Sequence, residues 1–104
     1  MSAEVSVIRW QAAHPPDADQ LLARLRATGR AYATWDNAAG DTYAVHTHAY
    51  AKHLVCLSGD IRFILPATGE HVDLGPGDEL ELPPGTSHGA IVGPRGVRCA
   101  ETHH

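Results

Sequence analysis

Hydrophobic residues near the start of the chain follow a helical spacing. They recur at intervals of three and four positions and form one stripe, made of Ala18, Leu21, Leu22 and Leu25. Asp17 stands where the first turn of a helix needs a cap, and Gly29 stands where the helix can end. The pattern therefore predicts one N-terminal helix whose apolar side docks on the rest of the protein.

The remainder of the chain follows a strand-like spacing. Short runs in which apolar and polar residues alternate are separated by turns rich in Gly and Pro. The runs cover residues 5–10, 32–36, 42–48, 52–57, 60–65, 71–74, 79–82 and 97–102, with another after His88. Residues 58–60 and 93–96 are predicted to be turns between separate strands. At least eight short strands are typical of an all-β fold, a small antiparallel barrel or jelly roll.

A chain of 104 residues is long enough for one domain with one core. We predict a single domain, residues 1–104, in which residues 1–36 form a strand-and-helix appendage and residues 37–102 form the barrel. The runs 5–10 and 97–102 are predicted to be exposed edge strands. Because exposed edges favour pairing with another chain, we expect a homodimer.

Charge and composition limit the possible partners and the compartment. The formal net charge is −4 and no basic cluster is present, which argues against a nucleic-acid surface. No apolar run approaches the roughly 20 residues needed to cross a bilayer, and the N-terminus lacks the features of a signal peptide. We therefore expect a cytoplasmic protein without a membrane-bound segment. In a reducing compartment Cys56 and Cys99 would be buried thiols rather than a disulfide.

Three histidines carry the most specific chemical signal. His46 and His48 are two positions apart in a predicted strand, so their side chains point to the same face, and His88 follows a Pro-Gly turn. Three imidazoles from two strands are enough for a metal site with open positions. They suit iron, zinc, nickel and copper about equally, so the ligands alone do not identify the metal.

Other polar and aromatic residues near these histidines have weaker signals. Tyr43 is an odd number of positions from His46, which predicts that it faces away, and Trp35 is predicted to have a structural role. The final His103 and His104 could be native or the remains of a purification tag, and we leave them out of the predicted site.

Two glycine-containing motifs resemble those of the cupin superfamily. The first consists of Gly40, five residues, His46-Thr-His48 and then Gly59, and the second consists of Gly77, five residues, Pro83-x-Gly85-x-x-His88. The resemblance implies a cupin-like barrel with a divalent transition metal held by His46, His48 and His88. It also implies a small organic molecule as substrate or ligand.

The chain departs from the cupin pattern at two positions. Lys52 stands where the family has a glutamate ligand, and Val92 stands where it has an asparagine. If Lys52 points inward, three roles are open to it: a neutral fourth ligand, a general base, or an anchor for an anionic substrate. If the strand phase shifts by one residue, His53 takes the inward position and becomes the possible fourth ligand instead.

Two functions of different classes follow from these residues. The first is a metal-dependent enzyme with Lys52 near the substrate, and the resemblance to cupins implies dioxygenation or isomerisation of a small organic acid. The second is a non-catalytic barrel that binds or senses a small ligand, which the missing glutamate favours. The fold alone does not choose between them.

Overall fold

The computed structural model describes residues 4–104 and has one helix and seven strands in that part of the chain. The helix is α1 (Ala18–Ala27), and the strands are β1 (Ser6–Ile8), β2 (Ala33–Asn37), β3 (Thr42–His46), β4 (Lys52–Leu65), β5 (Glu70–Leu74), β6 (Glu79–Leu82) and β7 (His88–His103). Every strand pairing is antiparallel. The predicted all-β jelly roll with one N-terminal helix is confirmed. Residues 1–3, where the predicted domain begins, lie outside the described part.

Strands β4 and β7 form the centre of the sheet and pair along nearly their whole length. At one end they are flanked by β6, β1 and β2, and at the other end by β5 and β3. Side chains from both ends, such as Leu54 and Leu80 from one and Phe63 and Val92 from the other, belong to a single buried core. The long strands therefore fold the sheet over on itself, with the core between its two halves.

The predicted turns at residues 58–60 and 93–96 were wrong, and so was the count of at least eight strands. Gly59 and Gly96 have positive φ angles of 75° and 74°, but both lie inside the continuous strands β4 and β7. A Cβ atom on Gly59 would lie 2.0 Å from the carbonyl oxygen of Gly96. The two backbones approach closely here, and the register shifts on either side of Gly59. The glycines form bulges that bend paired strands rather than turns that end them.

Helix α1 docks on the outside of the sheet, as its apolar stripe predicts. The side chain of Asp17 accepts a hydrogen bond from the backbone N–H of Asp19 and caps the helix. Leu21 and Leu22 are buried against the outward-facing side chains of β4 and β7, namely Val55, Leu57 and Ala100. Residue 29, a glycine with φ +74°, follows the end of the helix. No helix in residues 4–104 is long and apolar enough to span a membrane.

The prediction that residues 97–102 form an edge strand was wrong. This part of β7 lies between β4 and β2 and pairs with both. Strand β1 does lie at an edge, where it pairs with β6. The position of β7 follows from its length, because a 16-residue strand reaches both halves of the folded sheet.

Cys56 and Cys99 are opposite each other in β4 and β7, and both are fully buried free thiols. A hydrogen bond with Cys56 and burial in the core raise the pKa of the Cys99 thiol. The pair therefore acts as two small core side chains, as predicted.

Candidate metal centre

Three histidines converge where β3 ends and β7 begins. His46 ends β3, His48 follows it by two residues, and His88 begins β7 as the direct cross-strand partner of His46. One ring nitrogen from each histidine lies within 4.8 Å of one from each of the others. The ring centroids are 4.4 Å apart for His46 and His88, and 4.7 Å apart for His46 and His48. The cluster predicted from sequence spacing therefore comes together in three dimensions.

Backbone carbonyls fix the orientation of two of the three rings. Nδ1 of His46 lies 2.7 Å from the carbonyl oxygen of Ala44, and Nδ1 of His88 lies 2.9 Å from that of Thr86. A carbonyl oxygen only accepts hydrogen bonds, so each Nδ1 carries the proton and each Nε2 keeps a free lone pair. This is the arrangement of metal-ligating histidines whose second nitrogen donates to the protein.

Two of the ring nitrogens are buried and lack a partner. Nε2 of His48 and Nε2 of His88 have no hydrogen-bond partner among residues 4–104. A buried polar atom without a partner costs free energy, and a metal ion would supply one here. The residues present therefore fit a divalent transition metal.

The local environment favours the neutral form of His48 and His88, which ligation requires. Burial lowers the pKa of His88, and its neighbours His46 and Lys52 act in the same direction. Loss of solvent also lowers the pKa of His48, with a further contribution from the positive charge of Lys52.

Lys52 faces the cavity beside the histidines, and His53 lies on the opposite face of β4. Nζ of Lys52 is 3.3 Å from Oε1 of Glu101, and the two side chains are only 13% and 12% exposed. Nδ1 and Nε2 of His53 instead contact Glu81 and Glu79 at 2.6 and 2.8 Å on the outer side of the sheet. His53 does not belong to the cluster of potential His, Cys, Asp and Glu ligand atoms among the described residues, which consists of the three histidines.

Glu101 is a site residue that the sequence analysis missed. Its carboxylate accepts hydrogen bonds from Nε1 of Trp35 and Nε2 of His103, in addition to its contact with Lys52. Burial raises the pKa of Glu101, but the hydrogen bond from His103 and the positive charge of Lys52 outweigh it, so that the pKa lies below its ordinary value. Alternation along β7 could have indicated it: Glu101 lies two positions after the fully buried Cys99, so both side chains point to the same, inner face of the strand.

Aromatic side chains form the walls of a cavity of about 280 Å³ next to the histidines. Trp35, Tyr43, Tyr50 and Phe63 line it, together with Lys52 and Glu101. The prediction that Tyr43 faces away was wrong because the register of β3 against β7 shifts between Tyr43 and His46. Such a shift changes which residues face the cavity.

Two further expectations change at the rim of the cavity. Trp35 packs partly against the core, as expected, but its indole N–H also binds Glu101. His103, left out of the predicted site, stacks on Tyr50 with ring centroids 4.1 Å apart and contacts Glu101. Both residues therefore belong to the surroundings of Lys52.

The antiparallel jelly roll is similar to solved cupin structures, and this chain has the cupin fold. Three solved structures establish the similarity. The DUF861 family protein from Thermotoga maritima matches with a TM-score of 0.67 and 16% identity, over 97% of this chain and 100% of that chain.

The other two similar structures are larger than this chain. The RmlC-like cupin from Shewanella frigidimarina matches with a TM-score of 0.61 and 24% identity, over 69% of this chain and 62% of that chain. The polyketide cyclase RemF from Streptomyces resistomycificus matches with a TM-score of 0.65 and 23% identity, over 69% of this chain and 51% of that one. Comparison with protein-family models and with curated proteins gave no match. At these identities the similarity establishes the fold.

Proposed function

We propose that the protein is a small metal-binding cupin that acts on or binds a small organic molecule in the cavity beside His46, His48 and His88. The observation that carries this proposal is the pair of buried, unpartnered Nε2 atoms of His48 and His88. A divalent transition metal, iron, zinc, nickel or copper, is the partner that suits such a set of imidazole nitrogens.

The arrangement of ligands favours a reactive centre over a structural one. Three protein ligands leave coordination positions open, whereas structural zinc sites are closed by four. When bound, the metal would supply Lewis-acid or oxygen chemistry to a small organic molecule. We propose dioxygenation or isomerisation as the reaction class. The match to a polyketide cyclase supports a function involving a small organic molecule.

The protein's own groups have separate tasks in this proposal. The backbone carbonyls of Ala44 and Thr86 hold the rings of His46 and His88 in a ligating orientation. The aromatic walls would pack against the bound molecule. Lys52 is the proposed catalytic residue, because its ammonium lines the same cavity and can donate hydrogen bonds or a proton to the substrate.

A non-catalytic barrel that binds or senses a small ligand is the second candidate. One observation favours it: the position of the usual carboxylate ligand holds Lys52, and the nearby carboxylate of Glu101 is engaged by Trp35, Lys52 and His103. In this case the small ligand would bind with unchanged affinity in a His46→Ala variant.

Metal content tests the proposed function directly. Wild-type protein, purified without chelator and reconstituted with each metal in turn, should hold about one equivalent by elemental analysis, since one set of three ligands is present. The His46→Ala/His88→Ala double variant should hold none. A His14→Ala/His71→Ala variant is the matched control, because both of its histidines are exposed. Equal metal content in all three proteins would contradict the proposed site.

A further inference from the structure

We infer that Lys52, held in place by Glu101, binds the charged oxygen of the organic molecule, and that this molecule is a small monoanion with a flat, unsaturated body. The inference rests on the proposed metal site, because part of the argument uses the charge of the metal.

The first observation is the unused hydrogen-bonding capacity of Lys52. An ammonium group has three donors, and among residues 4–104 the one acceptor in contact with Nζ is Oε1 of Glu101, at 3.3 Å. The side chain is only 13% exposed and lines the cavity. Buried donors without partners are costly, so the remaining N–H groups fit an acceptor on a molecule inside the cavity.

The second observation is that Glu101 is anchored independently of Lys52. Nε1 of Trp35 donates to Oε1 of Glu101, and Nε2 of His103 contacts Oε2. Glu101 would have to give up these contacts to approach a metal. Its role is therefore to position Lys52, because it fixes one end of the ion pair while the ammonium faces the cavity.

The third observation is the balance of charge. Neutral imidazoles leave a bound divalent ion with its full charge of two, because no carboxylate ligand is present in the cluster. The charges of Lys52 and Glu101 cancel, so this pair does not offset the positive charge of the metal ion. An anion in the cavity would offset part of this charge.

The fourth observation is the shape of the space. The cavity of about 280 Å³ is at the small end of the range for small-molecule sites, and its walls are the rings of Trp35, Tyr43, Tyr50 and Phe63. Aromatic rings pack well against flat apolar surfaces. The geometry thus favours a flat organic anion over a sugar or an extended aliphatic chain.

Benzoate and the neutral benzamide are suitable probes, because they have nearly the same shape. Calorimetric titration of zinc-loaded protein should show benzoate binding at least about tenfold more tightly than benzamide, as a charged hydrogen bond provides. In Lys52→Met this preference should fall by about tenfold while the zinc content stays unchanged. Arg62→Met is the matched control, because it removes an exposed cation paired with Asp73 outside the cavity. It should leave the preference unchanged.

Lys52 is the only lysine in the chain, so selective ¹³C labelling of lysine gives one side-chain Cε signal. Benzoate should shift this signal and benzamide should not. In a Glu101→Gln variant the benzoate affinity should fall if Glu101 positions Lys52. Tighter benzoate binding by that variant would overturn the positioning role, since it would show that Glu101 only adds negative charge.

The outcomes separate this inference from the metal proposal. Equal affinity for the two probes, no benzoate binding at millimolar concentration, or an unchanged preference in zinc-loaded Lys52→Met would overturn the inference while the metal site stands. If the wild type takes up no metal, the proposed function fails and the charge argument with it. Titration of that metal-free protein then decides the role of Lys52: benzoate binding that is lost in Lys52→Met supports the anchor, and no binding overturns it.

Discussion

The ion pair between Lys52 and Glu101 makes each charge dependent on the other, because both side chains are mostly buried. Glu101→Gln should lower the free energy of unfolding by about 2–4 kcal/mol, since it leaves a buried ammonium without a counter-charge. The double variant Lys52→Met/Glu101→Gln should recover at least half of that loss. Urea denaturation at pH 7 measures both values.

The exposed pair between Arg62 and Asp73 is the control for this effect. Its closest contact is 2.7 Å, but its side chains are 50% and 64% exposed. Asp73→Asn should therefore cost less than about 1 kcal/mol. Similar losses for Glu101→Gln and Asp73→Asn would show that burial of the Lys52 pair adds nothing.

At the scale of single residues, the sequence predicted the three histidines but not their surroundings. His46 and His48 were accessible because alternation along a strand is a local property. Tyr43 was not, because its orientation depends on the register shift between β3 and β7. Alternation along β7 indicates the face of Glu101, but it does not indicate that Lys52 of the neighbouring strand pairs with it. A local pattern does not report which strand lies beside it.

At the scale of elements, the bulge around Gly59 controls the shape of the sheet. Gly59→Ala should lower the free energy of unfolding by at least about 3 kcal/mol, because it combines a disfavoured φ with a collision against the carbonyl oxygen of Gly96. Gly69 has nearly the same φ, 76°, with nothing within 4 Å of the position of its Cβ. Gly69→Ala should therefore cost only about 1–2 kcal/mol.

Thermal and urea denaturation of the two alanine variants isolate the steric part of this effect. Equal losses would mean that the backbone at Gly59 relaxes freely and that the close approach to Gly96 does not constrain the bend. The sequence analysis pointed to Gly59 and Gly96 but assigned both to turns. A glycine with positive φ occurs both in tight hairpin turns and in glycine bulges, and only the pairing with the neighbouring strand distinguishes them.

At the scale of the whole molecule, the homodimer remains a prediction, and strand β1 is the edge on which it now depends. Ile8 at this edge is 59% exposed. Light scattering at micromolar concentration should give twice the mass of 11.1 kDa for the wild type, and a monomer for Ile8→Lys, because a charge on an edge strand opposes pairing.

Val45→Lys is the matched control for dimer formation, because Val45 is 57% exposed on β3. It should leave the dimer intact. A wild-type mass of one chain at every concentration would rule out the dimer.

The overall fold was predictable because turn spacing and alternation extend over most of the chain. The pairing order was not, since it depends on contacts between distant segments.

The sharing of β4 and β7 between the two halves of the sheet has a consequence for folding kinetics. Neither half can be completed before both long strands are in place, and Ala33 pairs with Glu101 near the opposite end of the chain. Contacts between distant segments form only after large loops have closed, and closing these loops costs conformational entropy before the contacts stabilise the fold. Folding is therefore slowed to the range of milliseconds to seconds. The chain is therefore expected to fold slowly and in a single cooperative step, despite its small size.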